Sequence, residues 1–307
     1  MSVALFTHPA CLAHDAGSWH PECPDRLRTV LSALEHRDFE SLLREQAPEA
    51  TRDQLLLAHP RSYVEGILGQ RPSPGRRVHL DADTAMSEGS AEAALRAAGA
   101  ACAAVDAVME GWARAAFAAV RPPGHHAERA TAMGFCLFAN AAIAALHASA
   151  RWGAGRVAVV DFDVHHGNGT QAILGSDPQF LYVSSHQFPC YPGTGAASDR
   201  GIAGNVVNMP LPPGTGSAGF RRAWEGIGLP AIRAFQPDVV IVSAGFDAHR
   251  ADPLADLRLE GEDFGWITDE LLEIGGGRLV SVLEGGYDLG ALGASVAIHV
   301  RRLMRVC

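Results

Sequence analysis

Ala158-Val159-Val160-Asp161-Phe162-Asp163-Val164-His165-His166-Gly167-Asn168-Gly169-Thr170 is the stretch that decides the fold. Arg156 to Val160 is an apolar, β-branched run that predicts a buried strand, and the polar residues begin where that strand should stop. Side chains two apart on an extended backbone point the same way, so Asp163 and His165 can reach one cation together, with Asp161 behind them. Two further clusters follow strand-like runs: His125-His126 after Ala115 to Val120, and Asp247 after Val239 to Ser243. Asp247 would complete a set of two carboxylates and one imidazole, which suits a divalent ion such as zinc and leaves a coordination position open for water. A lone Asp-x-His is more often a cap or turn. A fourth cluster, Gly285-Gly286-Tyr287 after Arg278 to Leu283, also sits where an apolar run ends, and four such coincidences favour one site.

Working outward, Val3 to Thr7, Phe180 to Ser184 and Val206 to Met209 also read as strands. Pro24 to Arg37 opens with Pro and Asp and spaces Leu27, Val30, Leu31 and Leu34 as a helix does; Ala91 to Gly111 is Ala-rich with few breakers. Strands alternating with helices predict an α/β fold, a parallel sheet with helices on both faces. Ligands of such sheets sit beyond the carboxyl ends of the strands, so all four clusters should share that edge. The Pro/Gly-rich stretches, Leu68 to Arg77 and residues 211–219, are too short to be linkers, and residues 1–307 are expected to form one domain.

Hydrophobic residues make up 48% of the chain, ample for a sizeable core. No apolar run reaches the roughly 18 residues of a membrane span. The start, MSVALFTHPA, lacks a basic segment and reads as a first strand and not a signal peptide. Cys11, Cys23, Cys102, Cys136, Cys190 and Cys307 are scattered without a C-x-x-C, which predicts reduced thiols and a cytoplasmic protein. The net charge of -9 argues against a nucleic-acid surface. It is compatible with a cationic substrate, although an ordinary acidic excess explains it as well.

Arg121-Pro122-Pro123-Gly124 is turn chemistry that would hold His125 and His126 on a stiff loop. The two imidazoles are candidates for proton transfer, with two additional metal ligands as the alternative. Tyr287 could donate to a developing oxyanion or be an ordinary loop aromatic. Gly134-Phe135 and Tyr191-Pro192-Gly193 put aromatic rings on other loops of the same edge, either as core packing or as walls of a slot for an unbranched chain.

RPPGHH (121–126), GFCLFAN (134–140), DFDVHHGNGTQ (161–171), YVSSH (182–186), PGTG (192–195), VSAGFDA (242–248), ADPL (251–254) and LEGGYD (283–288) occur in this order. Together they resemble the zinc-dependent histone deacetylase superfamily, on its class II side and close to the bacterial amidohydrolases, from about His8 to Tyr287. The resemblance implies an arginase-like α/β fold with a parallel sheet of about eight strands, and hydrolysis of a linear acyl amide on an amino side chain. It makes Asp163, His165 and Asp247 the zinc ligands, with ferrous iron as the alternative metal. His125 and His126 become the paired histidines, His126 the preferred general base and acid, and Tyr287 the oxyanion donor. Asp161 would orient His125 and help bind a structural potassium ion together with Asp163, the His165 carbonyl, Ser184 and, less surely, Ser185. Asn168 stands where class I members carry an Asp beside the second histidine; an amide lacks that charge, so His126 should be the weaker base. Gly134, Phe135, Tyr191, Leu254 and Gly286 would line the substrate tunnel. The two-metal arginases share the implied fold, but here Gly167 and His249 stand where a second metal would need carboxylates.

The substrate expected from these residues is an acyl-lysine peptide or protein, or a small acylated amine, with no direct nucleic-acid or membrane partner; a homo-oligomer is left open. An acetylpolyamine deacetylase is the nearest rival, and a catalytically silent acyl-lysine binding module the rival from another class. Polyamine-selective relatives carry a Glu gatekeeper where this chain has Leu254, seven residues after Asp247, which favours lysine-type amides. Asp81, Asp83 and Glu22 are the acidic residues that could take the gatekeeper's place at the mouth.

Overall fold

The computed structural model describes residues 2–305. Its strands are β1 (Val3–Thr7), β2 (Leu43–Gln46), β3 (Val78–His79), β4 (Ala85–Met86), β5 (Ala115–Ala118), β6 (Val157–Asp161), β7 (Phe180–Gln187), β8 (Val206–Leu211), β9 (Val239–Ala244) and β10 (Leu279–Leu283). Its α-helices are α1 (Pro24–Ala33), α2 (Arg52–Ala58), α3 (Arg61–Leu68), α4 (Ser90–Glu110), α5 (Asn140–Trp152), α6 (Asn168–Leu174), α7 (Ser217–Ala223), α8 (Leu229–Phe235), α9 (Gly261–Ile274) and α10 (Leu289–Met304). Eight strands form one sheet in the order β2-β1-β5-β10-β9-β6-β7-β8, with every pairing parallel. The short strands β3 and β4 pair with each other, antiparallel.

All seven strands expected from apolar runs form, with ends shifted by a residue or a few: β6 gains Asp161, and β7 runs on to Gln187. The eighth strand of the large sheet, β2, reads Leu-Arg-Glu-Gln, and its four side chains are exposed. It is an edge strand whose place comes from backbone pairing to β1, in register Ala4↔Leu43, and not from burial. The helix expected to run to Arg37 stops at Ala33, where Leu34 caps the last turn by bonding back to Val30 and Leu31. Helix α4 ends at Gly111, whose φ of 84° closes it in the left-handed region.

Strands β6, β9 and β10 are buried along their whole length because helices cover both faces. On α4, Ala97, Ala98, Ala101 and Ala104 are fully buried, and these short side chains allow the helix to lie close over β5 and β1. Strands β5, β10, β9 and β6 are consecutive in the sheet, so the loops after them, carrying His125-His126, Tyr287, Asp247 and Asp163-His165, open side by side at one edge. Among the described residues no helix is long and apolar enough to cross a membrane. The five described cysteines are free thiols; Cys307 lies outside the described residues.

His299 of α10 is fully buried between Thr268 Oγ1 (2.6 Å) and Ser281 Oγ (2.8 Å), and burial lowers its pKa to about 3. The unfolded chain binds this proton near pH 6.5 and the folded one does not, so this residue costs stability as pH falls from about 6.5 towards 3. His299→Gln should therefore be less stable than the wild type at pH 7.5, and the gap between their urea midpoints should narrow by pH 5.

Candidate active site

The loop after β5 is clamped by a carboxylate from the end of β10. Glu284 Oε2 accepts from the backbone N–H of Gly124 (2.6 Å) and of His125 (3.2 Å), and its other oxygen accepts from Ser243 (3.2 Å). Burial pushes Glu284 up to about 7. The two imidazoles then stand with ring centres 4.0 Å apart, both buried. His125 Nδ1 lies 3.0 Å from Asp161 Oδ2, and His126 Nδ1 lies 2.8 Å from Asn168 Oδ1.

Their environments push them in opposite directions. Burial opposes charge on His125, but Asp163 and Asp161 overcome it and raise its pKa to about 10. Burial and then the neighbouring His125 and His165 hold His126 well below the ordinary imidazole value. Two adjacent groups with separated proton affinities are the pattern of an acid and base pair.

Asp163, His165 and Asp247 are buried and bring one ligand atom each within 4.8 Å of one another. His165 Nδ1 is 3.2 Å from Asp163 Oδ1 and 3.1 Å from Asp247 Oδ2. Backbone donors aim both carboxylates: Gly285 N–H to Asp163 (2.9 Å), His165 N–H to Asp163 (2.8 Å) and Val164 N–H to Asp247 (2.8 Å). A Cβ at Gly245 would lie 2.0 Å from Asp163 Oδ2, and one at Gly285 would lie 2.1 Å from Asp247 Oδ2, so glycine is required for the carboxylates to sit where they do. Burial, then repulsion from Asp163, raises Asp247 to about 7. Two mutually repelling buried carboxylates and one imidazole fit a divalent cation, which would relieve that repulsion.

Beside this group is a cavity of about 220 Å³, lined by Asp83, His126, Gly134, Phe135, His165, Tyr191, Leu254 and Tyr287. Gly134, at φ 55°, stands against the His126 ring, where a Cβ would come within 2.4 Å of Cδ2. Phe135 meets Tyr287 edge to face at 5.9 Å, and Tyr191 meets His126 the same way at 5.0 Å. Gly286 is not among the lining residues; its missing Cβ faces Leu292 and Phe246, and its carbonyl accepts from Arg26 (2.6 Å).

Two further expectations change. Glu22 is fully buried, bonded to Arg26, Arg121 and His14, and so is not at the mouth. Asp81 caps a turn, accepting from the N–H groups of Asp83 (2.9 Å) and Thr84 (2.6 Å), and Asp83 is the acid that lines the cavity. Ser184 is the register partner of Asp161, but the hydroxyl of the next residue, Ser185, projects from the other face of β7 and accepts from Trp224 Nε1 (3.1 Å).

Arg26, Asp252 and Glu128 escaped the sequence reading. Arg26 lies with its guanidinium carbon 4.7 Å from the Tyr287 ring centre and donates to the Gly286 and Glu284 carbonyls. Its sequence signal, an acid and a base four apart around a helix start, ordinarily marks an exposed pair. Asp252 ties two loops together, accepting from Tyr287 N–H (2.6 Å), Asp288 N–H (3.2 Å) and Leu254 N–H (3.1 Å). Glu128 accepts from the Asn168 amide at 2.8 Å, a contact no spacing rule forecasts.

Residues 20–303 match the histone deacetylase domain. The chain belongs to the histone deacetylase family. It is 40% identical to the histone deacetylase-like amidohydrolase of Pseudomonas aeruginosa, over 93% of this chain and 81% of that protein. It is 38% identical to the polyamine deacetylase HDAC10 of Mus musculus, over 92% of this chain and 45% of that one. The solved HDA15 HD domain superposes with a TM-score of 0.93 at 38% identity, covering 99% of this chain and 89% of that one, which bears out the arginase-like fold.

The glycine cradle gives a direct test of the histone deacetylase site. Gly245→Ala asks for no unusual backbone angle but crowds Asp163. Its affinity for a divalent metal, followed by competition with a chelator, should fall by about 10- to 100-fold, the usual effect of disturbing the support of a metal ligand.

Proposed function

We propose that this histone deacetylase relative is a zinc-dependent hydrolase that removes acetyl or related acyl groups from lysine side chains or similar linear amides. The observation that carries the reading is the convergence, on one narrow cavity, of the Asp163–His165–Asp247 group, two imidazoles with opposed proton affinities, and the Tyr287 phenol. Two carboxylates and one imidazole favour zinc, with ferrous iron the alternative. When bound, the ion supplies Lewis-acid polarisation of the acyl carbonyl and of a water molecule. A structural potassium ion is proposed beside Asp161, held also by Asp163, Ser184 and the His165 carbonyl.

The chain's own groups account for the proton movements. His126, held neutral by burial and by the charges around it, removes a proton from the attacking water through its Nε2. The water oxygen adds to the acyl carbon, and the phenol of Tyr287, kept protonated by burial, donates to the oxyanion. The C–N bond then breaks, and His126 or the charged His125 gives the departing amine its proton. Asp163 and Asp161 keep His125 charged, and Asp161 orients its ring. Free thiols support a reducing, cytoplasmic setting.

His126→Ala should lower kcat by about 100- to 10,000-fold and Tyr287→Phe by about 100- to 1,000-fold, each with its metal content unchanged. A single-turnover assay on an acetyl-lysine peptide, with elemental analysis of both variants, checks this. Wild-type protein that binds such peptides without turning them over would instead make it a silent acyl-lysine binding module.

For substrate choice, Leu254 gives the cavity an apolar wall that offers a second ammonium no charge of its own. Asp83 on the same cavity and the polyamine-deacetylating relative favour acetylpolyamines as the second reading. The enzyme should prefer acyl-lysine peptides over acetylputrescine and acetylspermidine, and Leu254→Glu should move the kcat/KM ratio towards the polyamines by about 1 to 3 kcal/mol. An unmodified enzyme that already favours polyamines would establish the second reading.

A further inference from the structure

We infer that Glu128 is a positioning residue that fixes the His126 tautomer through Asn168. This rests on the reading of His126 as the proton acceptor. Three contacts form a chain: His126 Nδ1 to Asn168 Oδ1 at 2.8 Å, Asn168 Nδ2 to Glu128 Oε1 at 2.8 Å, and Asn168 Nδ2 to Met133 Sδ at 3.4 Å. An amide has one accepting and one donating end, and a carboxylate and a thioether sulfur only accept. The nitrogen end of Asn168 must therefore face Glu128 and Met133, which leaves the oxygen end for His126. Nδ1 of His126 then carries the proton, and Nε2 keeps the lone pair that a base needs.

Without Glu128 only the weak contact to Met133 Sδ opposes turning the amide over. A reversed Asn168 would donate to Nδ1 and drive the imidazole proton onto Nε2, which disables the base even though every side chain is still present. The charged and aromatic groups that also face His126 are His125, His165, Asp163 and the Tyr191 ring, and none of them bonds to Nδ1. Glu128 is half-buried, and its loop is held by its own N–H bonding to the Thr131 carbonyl at 3.0 Å. It lines a second cavity of about 440 Å³, with Asn168, His166 and Gln171, that shares no residue with the walls of the first. Glu128 thus does not touch the substrate cavity, and its effect passes through Asn168.

A double-mutant cycle tests this. An Asp at 168 accepts from Nδ1 whichever way it turns, so it needs no Glu128 behind it, but beside Glu128 it would place two carboxylates against one another. Glu128→Ala should lower kcat by about 10- to 100-fold, with KM, metal content and melting temperature near wild type. Glu128→Gln, whose oxygen can still accept from Asn168, should lose less. Asn168→Asp should be impaired alone yet restore most of the rate in the Glu128→Ala background, a rescue that a merely structural Glu128 would not allow. Nitrogen-15 NMR of the histidines in metal-free protein should show His126 protonated at Nδ1 in the wild type and shifted towards the Nε2 tautomer in Glu128→Ala. Wild-type kcat and an unchanged tautomer in both Glu128 variants, or losses that simply multiply in the double variant, would overturn the proposal. A His126→Ala control separates the two claims. If that variant is fully active, His126 is not the base; if it is inert while Glu128→Ala is not affected, only the role of Glu128 falls.

Discussion

Asp163 and Asp247 are both fully buried and both reach the same nitrogen of His165, at 3.2 and 3.1 Å. Bare carboxylates so close in a low-dielectric interior repel strongly, and only a matching positive charge makes the arrangement favourable. Much of the surrounding structure serves that constraint. Strands β6 and β9 are adjacent in the sheet, so the two acids leave it side by side. The glycines at 245 and 285 remove the side chains that would push them apart, and three backbone N–H groups aim their oxygens. The packing that excludes water there also raises the energy of every charge in the neighbourhood, which is why His125 and His126 are driven so far apart in proton affinity.

A second buried charge system lies behind the first. Glu22 takes bonds from Arg26, Arg121 and His14, all buried. Removing one partner from such a cluster costs about 3–5 kcal/mol, because the remaining charges are left without compensation. The cluster joins parts of the chain far apart in sequence: Arg121 opens the histidine loop, and Arg26 binds the carbonyls of Gly286 and Glu284 on either side of Gly285. Tyr287 is placed by this frame from one side and by Asp252, which takes its N–H, from the other. The oxyanion role proposed for this phenol needs such fixing, since an oxyanion donor works only at hydrogen-bond distance from the developing charge.

What the sequence made legible follows the physics of each signal. Apolar β-branched runs located seven of the eight strands in the large sheet, because central strands of a parallel sheet are buried on both faces. The edge strand β2 carries no such pattern, since nothing covers its side chains. The Asp163–His165–Asp247 group was legible because its residues follow closely on strands, where an alternation of two fixes which side chains converge. Glu22 and Arg26 were misjudged or missed because a charged pair near a helix start looks the same whether it is exposed or buried beneath a loop some 260 residues later in the chain. The Ser185 hydroxyl turns away from Asp161 for a local reason: on a strand, the neighbour of an inward residue points outward. Resemblance carried the roles of Asn168 and Tyr287 further than residue patterns could, yet it left the missing charge beside His126 unexplained.

That missing charge shows how the site distributes its electrostatics. The carboxylate of Asp161 bonds to His125 directly and, with Asp163, keeps it charged, which suits the proton donor proposed there. Beside His126 a direct carboxylate would work against neutrality, and the base proposed there must begin neutral. An amide placed there supplies direction without a full charge, and the carboxylate of Glu128 stands one hydrogen bond further away. Coulomb energy falls with distance and with the exposure of the more solvated charge, so Glu128 biases His126 less than Asp161 biases His125. Two adjacent histidines on one loop can thereby hold different protonation states: Asp163 and Asp161 outweigh burial at His125, whereas burial and the neighbouring His125 and His165 prevail at His126, beside an amide in place of a carboxylate.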